Sequence, residues 1–376
     1  MKNGQLQQRL VWAALALLLS MPAVSAQTQS FPASQGGTLK LDLESGGSVT
    51  VETGGSSSIQ VTVENSEEST PRCRINIEPT EGGLRVHTYF EEDDRSQTSH
   101  LKIHAVVPSR YNIEVDSMGG GLSVTGLEGT IRGRTMGGEL NLSNLTGELE
   151  LVTMGGNITL TDSDVDGEVS TMGGTVLRDS VTGDVQGKSM GGNVTYRNVV
   201  NTANPEDSVG DEVFIDSMGG AIDVKDAPNG ARVKTMGGDV NIESAAEFVD
   251  ATTMGGSIGI GEVNGSVKAV TMAGEVDVKV IGAGGTVDLS SNSGDIILHL
   301  PAGFSARFEI ELAYTRNSTR NYRIDSDFAM QTEDSPDWDY SRGTARRYIY
   351  GNGTVAGGEH LVKIKTINGN VTIKSH

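Results

Sequence analysis

The tetrapeptide Thr-Met-Gly-Gly returns at a fixed interval, and that interval restricts the folds open to this chain more than any other feature. The nine methionines concerned are Met118, Met136, Met154, Met172, Met190, Met218, Met236, Met254 and Met272, separated by 18, 18, 18, 18, 28, 18, 18 and 18 residues. A constant period in this range marks a repeat architecture, in which each unit packs on its neighbours and the chain grows along one axis. The usual inference of two or three domains from 376 residues therefore does not apply.

Numbering each Met as position zero exposes the internal pattern. Position −1 is Ser or Thr in all nine copies, +2 is Gly in all nine, and +4 is Leu, Ile or Val in all nine. Position +6 is aliphatic or Tyr in eight copies, with Arg178 the exception. Further apolar pairs precede the next Met by five and three residues, as at Leu149 and Leu151. Inward positions two apart define strands. The spacing thus predicts two short strands per coil, joined by a Gly-rich turn and a polar turn. A triangular helix of hexapeptides needs apolar residues every six positions and does not fit. The expected fold is all-β, a flattened β-solenoid with 18-residue coils and irregular β caps at both ends; the crossover rule for parallel strands makes it right-handed.

The flanks follow the same logic. Residues 27–110 alternate at period two around Gly46-Gly47 and Gly54-Gly55 and read as an N-terminal β cap and first strands. The regular array is expected over 111–294, and a C-terminal β cap with a last coil over 295–376. Ten extra residues around Asn198 to Val209 make up the 28-residue step and are expected to bulge from the polar turn, outside the stack. Ser291-Asn292-Ser293-Gly294 and Thr366-Ile367-Asn368-Gly369 restate the motif in degenerate form.

Residues 1–26 read as a signal peptide: Lys2 and Arg9 are basic, Val11 to Leu19 is an apolar run too short to span a bilayer, and Val24-Ser25-Ala26 fits a cleavage site. An exported protein in the periplasm or at the cell surface is expected, with no membrane insertion after cleavage. Cys73 is the single cysteine, so no internal disulfide framework exists; it is expected to act as a small apolar residue beside Ile75 and Ile77. The formal charge of −20 argues against nucleic acid as a partner.

Gly-Gly-x-Leu-x-Leu-x-Leu from Gly36, the repeated Thr-x-Gly-Gly-x-Val-x-Val turns, Gly-Asp-Ile-x-Leu-x-Leu-Pro from Gly294 and the closing Thr-x-Asn-Gly-x-Val-x-Ile together resemble the bacterial "putative adhesin" family. The resemblance runs from about Thr38 to Lys374. It implies an exported β-strand-repeat domain of unknown function with a surface or adhesive role, and it brings no catalytic residues. The uniform Met at the turn departs from the family pattern.

The Met column is the principal candidate site. Strict alternation puts Thr inside and Met outside, but a turn at this point would exchange them. Because repeat ladders usually exist to stack, the sequence favours Met as a ladder in a core corner. Outward-facing Met would instead form an adaptable apolar interaction stripe. Thioethers also suit copper(I), yet the array lacks the accompanying His or Cys. The adjoining Ser/Thr column is expected to cap turn amides rather than to form an ice-binding face. A second candidate is a recognition loop at Trp338, Tyr340 and Arg342; the favoured alternative is a cap with its aromatics buried. The six His lie outside the nine-coil array, and no carboxylate cluster recurs from coil to coil. No catalytic residue, metal or cofactor is assigned. The expected function is a non-enzymatic, adhesin-like structural or binding role toward a protein, a cell-surface glycan or another copy of itself. The alternatives are a carbohydrate-active β-helix enzyme and an envelope-stress or signalling accessory protein.

Overall fold

The computed structural model describes residues 27–55, 57–65, 73–90, 99, 101–198, 212–318, 320–341 and 343–376. The expected signal peptide over residues 1–26, nearly all of the extra residues after Asn198, and Arg342 lie outside the described residues. Among these residues every regular element is a strand, and the fold is a β-solenoid.

Each coil lays one strand on each of two faces. On the first face Asn112–Ser117, Glu128–Thr135 and Thr146–Thr153 pair in parallel, with Ile113, Ile131 and Leu149 in register. On the second, Leu122–Thr125, Leu140–Ser143 and the start of Ile158–Thr171 do the same, with Leu122, Leu140 and Ile158 in register. Inward Val, Ile and Leu from both faces form one continuous buried core. Aromatics are scarce because the two faces are close enough for aliphatic side chains to fill the space between them.

The polar turn also has a repeating requirement. Gly126, Asn144, Asp162, Ser180 and Asn198, all at position +8, hold φ between +46° and +77°. Gly adopts this conformation freely, and Asn and Asp tolerate it better than most residues. Beyond the 28-residue step the stack resumes in register: Val194 pairs with Ile222 and Tyr196 with Val224.

At both ends the order of coils in space departs from their order in sequence, which the linear repeat did not suggest. Thr38–Leu43 lies between Gly83–Phe90 and Asn112–Ser117, parallel to both. Ser48–Gly54 likewise lies between Leu101–Pro108 and Leu122–Thr125. At the other end His360–Ile367 is inserted between Val287–Ser291 and Ala306–Thr315. Val371–Ser375 is inserted between Ile296–Leu300 and Ile324–Ser326. The last strand, Val371–Ser375, is thus held inside the stack. Antiparallel strands then finish three of the four sheet ends: Cys73–Thr80 on Gly83–Phe90, Gln27–Pro32 on Ser58–Asn65, and Gln331–Asp334 on Arg346–Val355, while the short Ile324–Ser326 ends the fourth in parallel. The change of direction interrupts the parallel template that an open solenoid end would offer to another chain. Cys73 packs with Ile75 and Ile77 against the core and donates to Ser45 Oγ at 3.1 Å; burial pushes its thiol pKa up.

Candidate functional site

The Thr-Met-Gly-Gly turn is a device for joining coils. The Ser or Thr at −1 is at most 3% exposed in all nine copies. Its hydroxyl bonds in two directions. Thr171 Oγ1 donates to the Gly156 carbonyl of the preceding coil at 2.8 Å and accepts from the Gly174 amide of its own turn at 3.0 Å. Ser189 and Thr253 repeat both bonds. The column therefore satisfies turn backbone from within, and it has no outward face to offer to ice.

Met faces solvent. Met118 is 55% exposed and the other eight lie between 42% and 51%. The expected corner ladder in the core is therefore corrected. Alternation holds through Met because the turn begins one residue later, and only a short hydroxyl side chain reaches both backbone partners inside. Nine methionines in eight steps of roughly 4.8 Å form a ridge about 38 Å long. On one side the ridge borders the side chains at −2, among them Arg134, Lys188 and Lys234. On the other it borders the bare Gly strip at +1 and then the exposed residues at +3, among them Glu139, Asp239 and Glu275.

The glycine at +2 has a steric cause. A Cβ on Gly156 would stand 1.6 Å from the Gly138 carbonyl oxygen, and one on Gly174 would stand 2.0 Å from that of Gly156. By contrast, a Cβ on Gly155 meets nothing within 4 Å, and Ala273 occupies the equivalent position naturally. The Met position is likewise free of a backbone requirement. Asn292 takes it in a later coil, where its amide donates to Thr271 O at 3.2 Å just as the Met172 amide donates to Thr153 O.

Arg178, the exception at +6, places its guanidinium on the carbonyls of Val181, Gly183 and Val185, and 5.1 Å from the ring centre of Tyr196 in the next coil. Tyr196 is buried, and its hydroxyl accepts from the Gly187 amide at 2.8 Å.

The C-terminal loop is part cap and part surface. Trp338 is half-buried, edge-on to Tyr314 with centroids 5.8 Å apart, and the Arg347 guanidinium lies 5.9 Å from its ring. Tyr340 is 62% exposed, which corrects the expectation that the loop buries its aromatics. It follows Asp339, whose backbone is bridged to Arg346, and alternation turns it outward.

The sequence reading missed a notch of about 410 Å³ on the second face. Its floor is Gly259 and Gly261, and its walls are Asn241 and Glu243 on one side and Asp277, Lys279 and His299 on the other. A signal was present: among the nine coils only that of Met254 carries Gly at +5 or +7. Among the described residues no three His, Cys, Asp or Glu side chains are grouped to hold a metal ion.

Two faces of parallel strands, in-register columns and turns closed by buried hydroxyls define a β-solenoid. The chain belongs to the Toastrack DUF4097 family, whose model matches residues 38–374. Among solved structures the chain is similar to three crystal structures of proteins named "putative adhesin". That from Parabacteroides distasonis has 15% identity over 71% of this chain and 98% of its own, with a TM-score of 0.34. That from Parabacteroides merdae has 15% identity over 70% and 95%, with a TM-score of 0.33. That from Bacteroides fragilis has 14% identity over 73% and 96%, with a TM-score of 0.30. No curated protein matches the chain.

Proposed function

We propose that this protein is an exported, non-enzymatic component of the cell envelope that works by display, with the methionine ridge as its contact surface. One observation carries the reading: nine Met side chains stand about half exposed in a single row, at a position where Asn292 shows that the turn does not need them. Unbranched, polarizable thioethers conform to a partner surface, and a contiguous exposed apolar stripe marks a contact site. The basic and apolar segments at Lys2 to Leu19 support export.

The occupant that fits is a second copy. A two-fold axis parallel to the solenoid axis brings the −2 flank of one ridge against the +3 flank of the other at the same height. Arg134 then meets the other copy's Glu139, and Lys234 meets its Asp239. The antiparallel arrangement would set Lys188 against itself. The pairing is isologous and closes at two copies.

Sedimentation equilibrium tests this. The wild type is expected to dimerise with concentration. A variant with Met154, Met172, Met190 and Met236 changed to Ser should remain monomeric and folded, losing no more than about 2 kcal/mol in all, since exposed substitutions shift stability by about 0.5 kcal/mol each. A monomeric wild type, or a variant that loses stability while associating normally, would defeat the proposal.

A further inference from the structure

We infer that the notch over Gly259 is a binding site for a neutral or amine-bearing saccharide. It lies on the second face, away from the ridge, and its argument is independent of ridge pairing.

The floor is informative because the fold does not require it. Gly261 has a backbone reason: a Cβ there would stand 2.7 Å from the Glu243 carbonyl oxygen, beside a break in strand register. Gly259 has none. It sits inside the strand Ile258–Val263, and a Cβ on it would meet only the side-chain oxygen of Asn241, at 3.3 Å. Other coils place Ser123, Thr159 or Thr195 at this outward position. Glycine inside a strand weakens it and marks places where a ligand or another backbone comes close. Among the described residues no other backbone comes within 4 Å of a Cβ at Gly259, which lies on the outer surface of the face, so the close approach is left for a ligand.

The walls define that ligand. Asn241 donates its amide to Asp223 at 3.1 Å, which leaves its oxygen turned toward the Gly259 floor. Glu243 is engaged by Lys225, and Asp277 by His299 at 3.7 Å; each carboxylate keeps acceptor capacity toward the notch. Lys279, bonded to Glu262 at 2.8 Å, supplies a donor at the same rim. The facing walls belong to coils two steps apart, about 10 Å. That distance is too wide for one cation shared between walls and suits one flat ring. Acceptors predominate, so the ligand brings hydroxyl or amine hydrogens on opposite edges. The acidic walls and the −20 formal charge disfavour uronic or sulfated sugars. A pyranose ring resting on the bare backbone, its hydroxyls shared between Asn241 and Asp277, meets these conditions.

The test uses the full secreted chain on immobilised oligomers of glucose, glucosamine, N-acetylglucosamine and galacturonic acid. Wild-type protein is expected to retain one or more of the first three and not the last. Gly259→Thr should melt no lower than wild type and bind at least tenfold more weakly. Asp277→Asn, an outward-facing change on the neighbouring strand that tests the wall and leaves the glycine floor unchanged, should weaken binding several-fold. The ridge Ser variant should bind as wild type does, which separates this site from self-association. Absence of binding to all three neutral and amino sugars, preference for galacturonic acid, or full binding by Gly259→Thr or Asp277→Asn would overturn the inference.

Discussion

Thr153 Oγ1 donates to the Gly138 carbonyl oxygen at 3.1 Å, so a side chain in one coil bonds the backbone of the coil before it. The bond recurs along the rod and outlasts the Met column: Ser291 makes it to Gly274 at 2.8 Å and Thr366 makes it to Gly294 at 2.7 Å. The −1 column is thus a structural seam running beneath the ridge.

Cutting the seam should be costly in proportion to the backbone groups left unpaired. Thr171→Val preserves shape but orphans the Gly156 carbonyl and the Gly174 amide, both bonded in the native protein. A loss of about 1–3 kcal/mol is expected from urea unfolding. Thr171→Ser, which Ser189 mimics one coil later, should cost less than about 1 kcal/mol.

The two glycines of one turn should behave differently. Gly156→Ala places a methyl 1.6 Å from a carbonyl oxygen of the preceding coil, whereas Gly155→Ala meets no atom within 4 Å. The first should destabilise by more than about 4 kcal/mol or prevent folding, and the second should stay within about 0.5 kcal/mol. Thermal melts of the two single variants decide the matter, and equal effects would contradict the stacking geometry.

How far these features could be read from sequence depended on whether one physical rule acted alone. The aliphatic residues at +4 answer only to burial, so Leu140, Ile158 and Val176 revealed the faces directly. Met answered to two rules that conflict: alternation sends it outward, while the tendency of ladders to stack draws it in. The hydroxyl at Thr153 resolves the conflict, because its inward hydrogen bonds require partners that no linear pattern displays. The interleaved ends were hidden for a related reason. Leu39 and Leu41 alternate as any strand does, and nothing in them records that Leu84 packs beyond them. Gly259 was masked by a chain with 50 glycines, most of them serving turns.

Alkaline stability should depend on two buried phenols. Burial raises the pKa of Tyr196 and of Tyr111 above the ordinary 10.0. In Tyr196 desolvation outweighs the opposing pull of Arg178 and of the Gly187 amide. The folded state therefore holds these protons to higher pH than the unfolded chain does. Stability is fully present below pH 10.0 and falls as pH rises above it, where the native state binds more protons. Tyr196→Phe should cost about 1–3 kcal/mol at neutral pH by stranding the Gly187 amide, yet it should shrink the alkaline decline. Tyrosinate absorbance followed alongside circular dichroism separates the two effects.

The direction of ridge pairing makes the most specific prediction. With a two-fold axis along the rod, Lys234 of one copy faces Asp239 of the other, and both side chains are exposed. Lys234→Asp alone should weaken dimerisation about tenfold at low salt, since it replaces two symmetry-related attractions with two repulsions. Asp239→Lys alone should do the same. The double variant restores opposite charges at both contacts and should recover most of the lost affinity, as should a mixture of the two single variants. All these differences should collapse in high salt, where exposed charges are screened. In an antiparallel pair Lys234 would face Val152, so exchanging it with Asp239 would rescue nothing. Sedimentation of the four proteins at two ionic strengths distinguishes the arrangements: rescue by the double variant supports the parallel pair, and its absence rules that pair out.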